Sequence, residues 1–227
     1  MRPHIYPVRM LISNAFIVQF EQAAIVVDTG LPGHGPTILD RLALHGLAPQ
    51  DVKLILLTHG HADHMGSAAE LKAATGAPIA IHPADAAQLR AGRNSLLTPA
   101  CLTARLVHPL VQHRQAPPCE PDILLEEGQR LDQFGMPGRI MHTPGHSAGS
   151  VSVLLDGGQT LIGDLLLGGY LGGYLFDRRP GLPYFIDNRE QLLASVRRVL
   201  AEHLTTVFVG HGGPLKPDAM RRRFEGL

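Results

Sequence analysis

One ten-residue stretch, LTHGHADHMG (Leu57–Gly66), concentrates the residue types that hold transition metals or move protons. His59 and His61 are two positions apart after an apolar run, and alternate side chains of an extended chain point the same way. Both imidazoles can therefore face one metal ion. Asp63 and His64 follow as the chain turns into a helix, and because adjacent side chains diverge, they suit a second position. The stretch offers ligands for two metal ions and completes neither site.

Three further residues of these types follow later apolar runs, each beside a glycine: His146 in HTPGHSAGS, Asp164 in LIGD and His211 in VFVGHGGP. Glycine lets the backbone turn sharply and leaves the neighbouring side chain exposed at the end of a strand. Taken alone, any one histidine is more often a hydrogen-bonded structural residue than a ligand. The repeated arrangement favours a composite metal site. Its seven candidate ligands are His59, His61, Asp63, His64, His146, Asp164 and His211.

The segments that must position these residues alternate between strand and helix patterns. Apolar, β-branched runs predict strands within 15–20, 23–30, 52–60, 78–82, 138–146, 149–164 and 205–214. Gly157–Gly158 predicts a hairpin turn. The spacing of apolar residues predicts helices at 36–46, 67–78 and 189–204. This alternation is typical of a layered α/β protein.

Two segments depart from this rhythm. Residues 86–121 contain helical pieces and a proline-rich turn. We expect them to form a mostly helical cap beside the cleft that holds the predicted metal site. The apolar surface of this cap is expected from Leu96, Leu97, Leu102, Leu106 and Leu110. Residues 168–181 are glycine-rich but lack the Lys–Ser/Thr ending of a phosphate-binding loop. We expect a mobile loop that carries Tyr170 and Tyr174 to the mouth of the site. Residues 1–227 are expected to form a single domain.

The overall composition limits the classes of function. Twenty basic residues balance twenty acidic ones, so the excess of positive charge typical of nucleic-acid binders is missing. No segment approaches the ~20 apolar residues of a membrane span. Neither nucleic acid nor a membrane is therefore expected as a partner. The N-terminus has no signal-peptide pattern, and Cys101 and Cys119 are interpreted as ordinary thiols of a reducing compartment, so we expect a cytoplasmic location. The oligomeric state stays open, with a homodimer as one option.

The motifs VVDTG, LTHGHADHMG, HTPGHSAGS, LIGD and VGHGGP, in this order over nearly the whole chain, resemble those of the metallo-β-lactamase-fold hydrolases. The resemblance implies an α/β fold, a four-layer αββα sandwich with a dinuclear metal site at one edge of its two sheets. It also implies two ligand sets and a bridge: His59, His61 and His146 for the first metal, Asp63, His64 and His211 for the second, and Asp164 between them.

The resemblance extends to residues around the ligands. It implies that Asp28 of VVDTG supports the site without binding metal, and Thr58 and Thr143 are candidates for the same role. Asp63 is the candidate catalytic residue in addition to its role as a ligand. Asp164 places the sequence nearer the glyoxalase II and lactonase side of the superfamily than the true β-lactamases, which carry a cysteine at this point or lack the bridging carboxylate.

The function implied is that of a dinuclear metal-dependent hydrolase, in which a metal-bound hydroxide attacks a small ester, thioester or lactone. Two alternatives stay open: a phosphodiesterase on the same scaffold, and an iron-dependent redox member that does not hydrolyse its substrate. Two divalent metal ions are the expected cofactors. Zinc is the first choice, and the same ligand types also suit iron or manganese. The expected partner is a small-molecule substrate.

Overall fold

The structure, a computed structural model, describes residues 2–224 and contains twelve strands and seven α-helices in that range. The strands are β1 His4–Arg9, β2 Asn14–Phe20, β3 Ala23–Val27, β4 Val52–Leu56, β5 Ile79–Ile81, β6 Ile123–Leu124, β7 Gly138–His142, β8 Val151–Leu155, β9 Gln159–Leu161, β10 Leu167–Tyr170, β11 Leu175–Gly181 and β12 Thr206–Phe208. The helices are α1 Gly35–Leu44, α2 Ala62–Met65, α3 Ala68–Thr75, α4 Ala86–Ala91, α5 Leu102–Val111, α6 Arg189–Leu200 and α7 Pro217–Phe224. No helix of this part of the chain is long and apolar enough to cross a membrane.

Two main sheets build the molecule. The larger has the order β1–β2–β3–β4–β5–β6, antiparallel from β1 to β3 and parallel from β3 to β6. The smaller has the order β12–β9–β8–β7, in which β12 runs parallel to β9 and the other pairs are antiparallel. Because β3, β4 and β5 are parallel, the loops that follow them leave the larger sheet at the same edge, which is the usual place for a ligand site.

The alternation of side chains along the strands produces the layers. Val26 and Ile55 point to one face of the larger sheet and pack in one apolar cluster with residues of α1 and α3. Val27 and Leu56 point to the opposite face and pack against residues of β7 and β8. A third cluster joins the smaller sheet to α6 and α7. Three apolar layers between helices, sheet, sheet and helices confirm the predicted αββα sandwich.

The boundaries of several elements differ from the predictions. Strand β1 was not predicted, because Pro7 lacks the N–H that a strand pattern normally requires. As the edge strand of the larger sheet, β1 pairs with β2 alone and tolerates this residue. Helix α6 ends at Leu200 rather than 204. The predicted Gly157–Gly158 turn joins β8 to β9, with the Gly158 N–H donating to the Leu155 carbonyl at 2.9 Å.

The glycine-rich segment 168–181 was predicted to be a mobile loop, and this was wrong: it forms most of the β10–β11 hairpin. A Cβ atom on Gly168 would lie 2.0 Å from the Asp177 carbonyl oxygen, so glycine is needed here for close packing. The Gly168 N–H donates to the His211 carbonyl at 2.8 Å, and the Gly213 N–H donates to the Asp177 carbonyl at 2.7 Å. The hairpin therefore braces the loop that carries His211.

The two helices of segment 86–121 have different surroundings. Helix α4 places Leu89 in the same apolar cluster as residues of α1 and α3, so it belongs to the body of the sandwich. Helix α5 lies on an excursion that a β-bridge between Arg93 and Gln115 closes at its base. We call residues 93–115 the cap. The cap is shorter than the predicted insertion, and the single-domain organisation stays a prediction.

Candidate metal centre

The seven predicted ligands come from loops and one short helix that follow strands. His59 and His61 lie after β4, Asp63 and His64 on α2, His146 between β7 and β8, Asp164 after β9, and His211 after β12. The structure brings all seven together, in three overlapping groups whose ligand atoms lie within 4.8 Å of one another. The groups are His59–His61–His146, His59–His64–Asp164 and Asp63–His64–His211.

The first group is a convergence of three imidazoles. The Nε2 atom of His146 lies 3.2 Å from Nε2 of His59 and 3.0 Å from Nδ1 of His61. On its other side, Nδ1 of His146 faces the Phe185 carbonyl at 2.8 Å and must donate to it, which leaves Nε2 without a proton in the neutral ring. Burial and, after it, the neighbouring histidines lower the pKa of His59 well below its usual value and that of His61 to about 3. His59 and His61 are therefore neutral, and neutral imidazoles bind metals.

The second group has its imidazoles fixed in the same way. Nδ1 of His64 lies 2.9 Å from the Asp28 carboxylate, and Nδ1 of His211 faces the Ile12 carbonyl. Each Nε2 therefore points toward the cluster, and that of His64 is buried without a hydrogen-bond partner in residues 2–224. Burial disfavours charge on both rings, but Asp164 and Asp63 together outweigh it, with Asp28 also acting on His64. The pKa of His64 rises to about 10, and that of His211 rises too.

Asp164 stands between the two groups. Its Oδ2 lies 3.0 Å from Nε2 of His211 and 3.8 Å from Nε2 of His146, and its Oδ1 lies 3.5 Å from Nε2 of His64. Burial alone would raise the pKa of this carboxyl group, but His211 and His64 hold it well below its usual range. Asp164 is therefore an ionised carboxylate that lies next to ligands of both groups.

Asp63 is the most open of the acidic residues in the cluster. Its side chain is 23% exposed, and its Oδ2 lies 3.6 Å from Nε2 of His211. Burial opposes ionisation, but His64 and His211 lower the pKa of Asp63, so the group is a carboxylate. It lines a cavity above the cluster and can reach a bound molecule from there. Its catalytic role stays a prediction.

The donor set fits divalent metal ions. Imidazole nitrogens and carboxylate oxygens are ligands of zinc, iron and manganese. Nε2 of His61, Nε2 of His64 and Oδ1 of Asp164 are buried, and none has a hydrogen-bond partner within residues 2–224. Leaving a buried polar atom unpaired costs roughly 1–3 kcal/mol, and three at one point need a common partner. Cations bound by these three atoms, with release of any proton that they carry, would satisfy them together.

Residues behind the ligands orient them. Asp28 accepts hydrogen bonds from the Thr58 N–H at 2.8 Å and from the Thr58 hydroxyl at 2.8 Å, in addition to its contact with His64. The Thr58 hydroxyl also lies 3.0 Å from Nδ1 of His59. Asp28 and Thr58 therefore have the supporting positions expected of them. Thr143 differs, because its hydroxyl pairs with that of Ser152 at 2.9 Å, within the smaller sheet.

A second buried carboxylate, Asp85, was missed by the sequence analysis. It is fully buried, and its oxygens accept hydrogen bonds from the Gly60 N–H, the Ser147 hydroxyl and the Gly149 N–H at 2.7–2.8 Å. One signal could have found it. Asp28, His59 and Asp85 follow β3, β4 and β5, whose carboxyl ends share one edge of the sheet.

A cavity of about 300 Å³ opens above the seven clustered side chains. This volume is at the lower end of the range for small-molecule sites. Helix α5 forms one wall, the hairpin and the segment around Tyr184 form another, and five of the cluster residues form the floor. Its apolar lining consists of Ile12, Leu97, Val107, Leu110, Val111, Leu167, Leu171 and Phe185. Tyr170 and Tyr174, expected at the mouth, do not line the cavity, and Tyr184 does.

The cap contacts the metal-binding segment through Asn94. Its side-chain oxygen accepts the Ala62 N–H at 2.8 Å, at the start of α2, and its amide donates to the Val111 carbonyl at 2.8 Å, at the end of α5. Of the five leucines expected to supply apolar surface, Leu97 and Leu110 line the cavity. Leu96, Leu102 and Leu106 do not, and each remains more than 70% exposed.

Comparison with known proteins places these observations in a family. Residues 8–211 match the family described as the metallo-beta-lactamase superfamily. The probable metallo-hydrolase YqgX of Bacillus subtilis is 30% identical over 210 residues, which cover 91% of this chain and 88% of that protein. The acyl-coenzyme A thioesterase MBLAC2 of Gallus gallus is 31% identical over 150 residues, which cover 61% of this chain and 52% of that protein.

A solved structure shares the whole architecture. The crystal structure of TTHA1623 in a di-iron-bound form is similar to this chain with a TM-score of 0.69 and 31% sequence identity. The similarity covers 96% of this chain and 98% of that one. At this identity and coverage, the shared fold extends over both sheets and over the edge that carries the cluster.

Proposed function

The chain belongs to the metallo-beta-lactamase superfamily, and we propose that it is a dinuclear metal-dependent hydrolase that cleaves small thioesters, esters or lactones. In this proposal the seven clustered residues would be the metal ligands: His59, His61 and His146 would hold the first ion, Asp63, His64 and His211 would hold the second, and Asp164 would bind both.

The observation that carries the proposal is the position of Asp164. Its carboxylate lies beside ligands of both groups: Oδ2 faces Nε2 of His146, in the first group, and Nε2 of His211, in the second, and Oδ1 faces Nε2 of His64, also in the second. A carboxylate can bind two cations at once and cancel part of their mutual repulsion. A single metal ion would leave one of these groups without a cation.

The residues of the chain supply orientation and a proton acceptor. Bound metal ions supply a Lewis acid and generate a nucleophile from water at neutral pH. Asp28 and the Phe185 carbonyl fix the rings of His64 and His146, so their metal-facing nitrogens need no rearrangement. Asp63, ionised and open to the cavity, can hold a proton during turnover.

The substrate class follows from the lining of the cavity and from one relative. Aliphatic side chains from α5 and the hairpin cover most of the wall, and such a surface suits an acyl chain. The similarity to an acyl-coenzyme A thioesterase supports a thioester among the candidate substrates. The thioester or ester class is therefore favoured over the phosphodiester.

Zinc is the proposed metal, with iron as the alternative that a specific observation favours. Five imidazoles and two carboxylates suit either ion. The similar TTHA1623 structure is described as di-iron-bound. Metal content therefore has to be measured on protein produced without added metal.

The test combines metal analysis with a substrate panel. Zinc, iron and manganese are quantified per chain, and the protein is then offered a thioester, a lactone, a phosphodiester and a β-lactam. We expect two metal ions per chain and the fastest turnover with the thioester or lactone. His113→Ala, in an exposed histidine of the cap, is the control and should match the wild type. Fastest cleavage of the phosphodiester, or two irons without any hydrolysis, would overturn the proposal in favour of one of the two alternatives.

A further inference from the structure

The cavity above the metal cluster contains polar groups that the proposed chemistry does not use. Beside the cluster residues, its polar lining consists of Asn94, Thr103, Arg114 and Tyr184. Asn94 already bonds to the backbone of α2 and of α5. Arg114 is the one lysine or arginine among the described residues that line the cavity. An arginine in a lining made largely of aliphatic side chains requires an explanation.

The guanidinium of Arg114 has no counter-ion in the described part of the chain. Its Nη1 atom is buried and has no hydrogen-bond partner in residues 2–224, and no carboxylate there forms an ion pair with it. Burying a charged donor without a partner is unfavourable, and in most proteins a nearby acidic side chain removes the cost. An anion that enters the cavity would satisfy this group.

The surrounding backbone holds Arg114 in place without its side chain. The Arg114 N–H donates to the Val111 carbonyl at 3.2 Å and closes the end of α5. The next residue, Gln115, forms the β-bridge with Arg93 at the base of the cap. The guanidinium is therefore presented from an anchored position, and it is not needed to anchor the cap.

A second donor lines the same cavity. The Tyr184 hydroxyl accepts the Leu171 N–H at 2.8 Å, which leaves its own hydrogen available for donation. Arginine presents a planar fork of N–H groups that matches the oxygens of a carboxylate or phosphate, and such charge-assisted hydrogen bonds are among the strongest in proteins. The cavity thus combines aliphatic walls with donors suited to an anion.

We propose that Arg114 binds an anionic group of the substrate, so that the substrate is an acyl compound with a short apolar chain and a carboxylate or phosphate. This inference rests on the proposed hydrolase function and makes it more specific. Arg114 would thereby decide which thioesters or esters bind, and their hydrolysis would take place at the seven clustered ligands.

The test uses three thioesters of the same neutral thiol: one with a plain four-carbon acyl chain, one with a terminal carboxylate and one with a terminal phosphate. Their kcat/KM values are compared in the wild type, in Arg114→Gln and in Arg114→Lys. Arg105→Gln is the matched control, because Arg105 lies on α5, is exposed and does not line the cavity. Thioether analogues, in which a methylene replaces the carbonyl, provide dissociation constants independent of turnover.

We expect the wild type to prefer one anionic thioester over the neutral one by about tenfold or more, the usual effect of a hydrogen bond to a charged group. Arg114→Gln should abolish this preference by lowering kcat/KM for the anionic thioester far more than kcat/KM for the neutral one. Arg114→Lys should keep part of the preference, and Arg105→Gln should keep all of it. The thioether affinities should follow the same order. An anionic preference that survives Arg114→Gln, or equal affinities for neutral and anionic thioethers in the wild type, would overturn the inference. Absence of turnover with selective binding of the anionic thioethers would instead contradict the hydrolase function alone.

Discussion

The Asp85 carboxylate accepts the hydroxyl hydrogen of Ser147 at 2.7 Å, and the same oxygen accepts the Gly60 N–H at 2.8 Å. Gly60 directly follows His59, and Ser147 directly follows His146. One buried carboxylate thus connects the two loops that supply the first group of imidazoles. Asp85 is hydrogen-bonded to the residues that follow the two imidazoles and not to the imidazoles themselves.

We expect Asp85→Asn to weaken metal binding at the first group. The amide has the size of the carboxylate, but its NH₂ group would take the place of an oxygen that now accepts a hydrogen bond from an N–H or O–H group. The two donors would repel each other, and both loops would shift. Loss of such a supporting residue usually costs about 10–100-fold in metal affinity or activity. Metal affinity is measured by competition with a chromogenic chelator. Asp40→Asn, in an exposed residue of α1, is the control and should bind metal like the wild type. Unchanged affinity in Asp85→Asn would show that the loops keep their positions without this carboxylate.

The two groups of ligands should respond separately to substitution. His59→Ala removes an imidazole from the first group and should damage occupancy of that site, whereas His211→Ala should damage occupancy of the second. Each change should greatly reduce activity and only slightly reduce the free energy of unfolding. Metal content per chain and thermal unfolding of the same preparations separate these effects. If both variants retained two metal ions per chain, the ligand assignment would be wrong.

Asp164→Asn tests the bridge. An amide offers a neutral carbonyl oxygen and no negative charge, so it is nearly isosteric but a much poorer ligand for two cations. We expect a normally folded variant that binds the second metal weakly and loses hydrolysis by orders of magnitude. Excess zinc should restore activity only in part, because mass action forces occupancy but not geometry. Zinc titration followed by metal content and turnover together is the measurement. Tight binding of two ions with wild-type turnover would show that Asp164 does not bridge them.

An ion pair remote from the site should contribute to stability in a pH-dependent way. Asp122 accepts from the Lys72 ammonium at 2.7 Å and from the Ile79 N–H at 2.8 Å. Partial burial opposes ionisation, but these two donors lower the pKa of Asp122. Because the folded pKa lies below the unfolded one, the stabilisation is present above the unfolded pKa and is lost as the pH falls through the folded value.

Asp122→Asn should therefore be less stable than the wild type near neutral pH, by at most about 1 kcal/mol for so exposed a pair. The difference should shrink as the pH falls below about 4, where aspartate in the unfolded chain becomes protonated. Urea unfolding of both proteins with chelator present removes the contribution of bound metal. A difference that does not change with pH would assign the effect to packing rather than charge.

The grouping of the seven cluster residues was predictable because the information is local. His59 and His61 share a side of an extended segment, and His146, Asp164 and His211 each stand beside a glycine after a strand. The layers were predictable for the same reason, since strand and helix periods can be read within a single element.

Asp85 and Arg114 were not predictable in this way. Asp85 matters because β5 lies beside β4, which brings it to Gly60, and Arg114 because the cap folds back over the floor of the cavity. Both relations join distant parts of the chain. The prediction of a mobile loop around Gly168 was wrong for a related reason. A glycine is compatible both with a mobile segment and with close packing, and only the backbone that lies next to it in the fold shows which of the two applies.

The attachment of the cap has an evolutionary consequence. Asn94 and the Arg93–Gln115 bridge fasten the excursion at its base, and the chain between these points contributes to the cavity wall but to none of the seven cluster positions. Insertions or deletions in this stretch, or its exchange, can therefore alter which molecules enter the cavity while the seven clustered residues below it stay unchanged. In this architecture, a change confined to residues 93–115 can alter the substrate range, while the opposite wall of the cavity, formed by the hairpin and the segment around Tyr184, stays as it is.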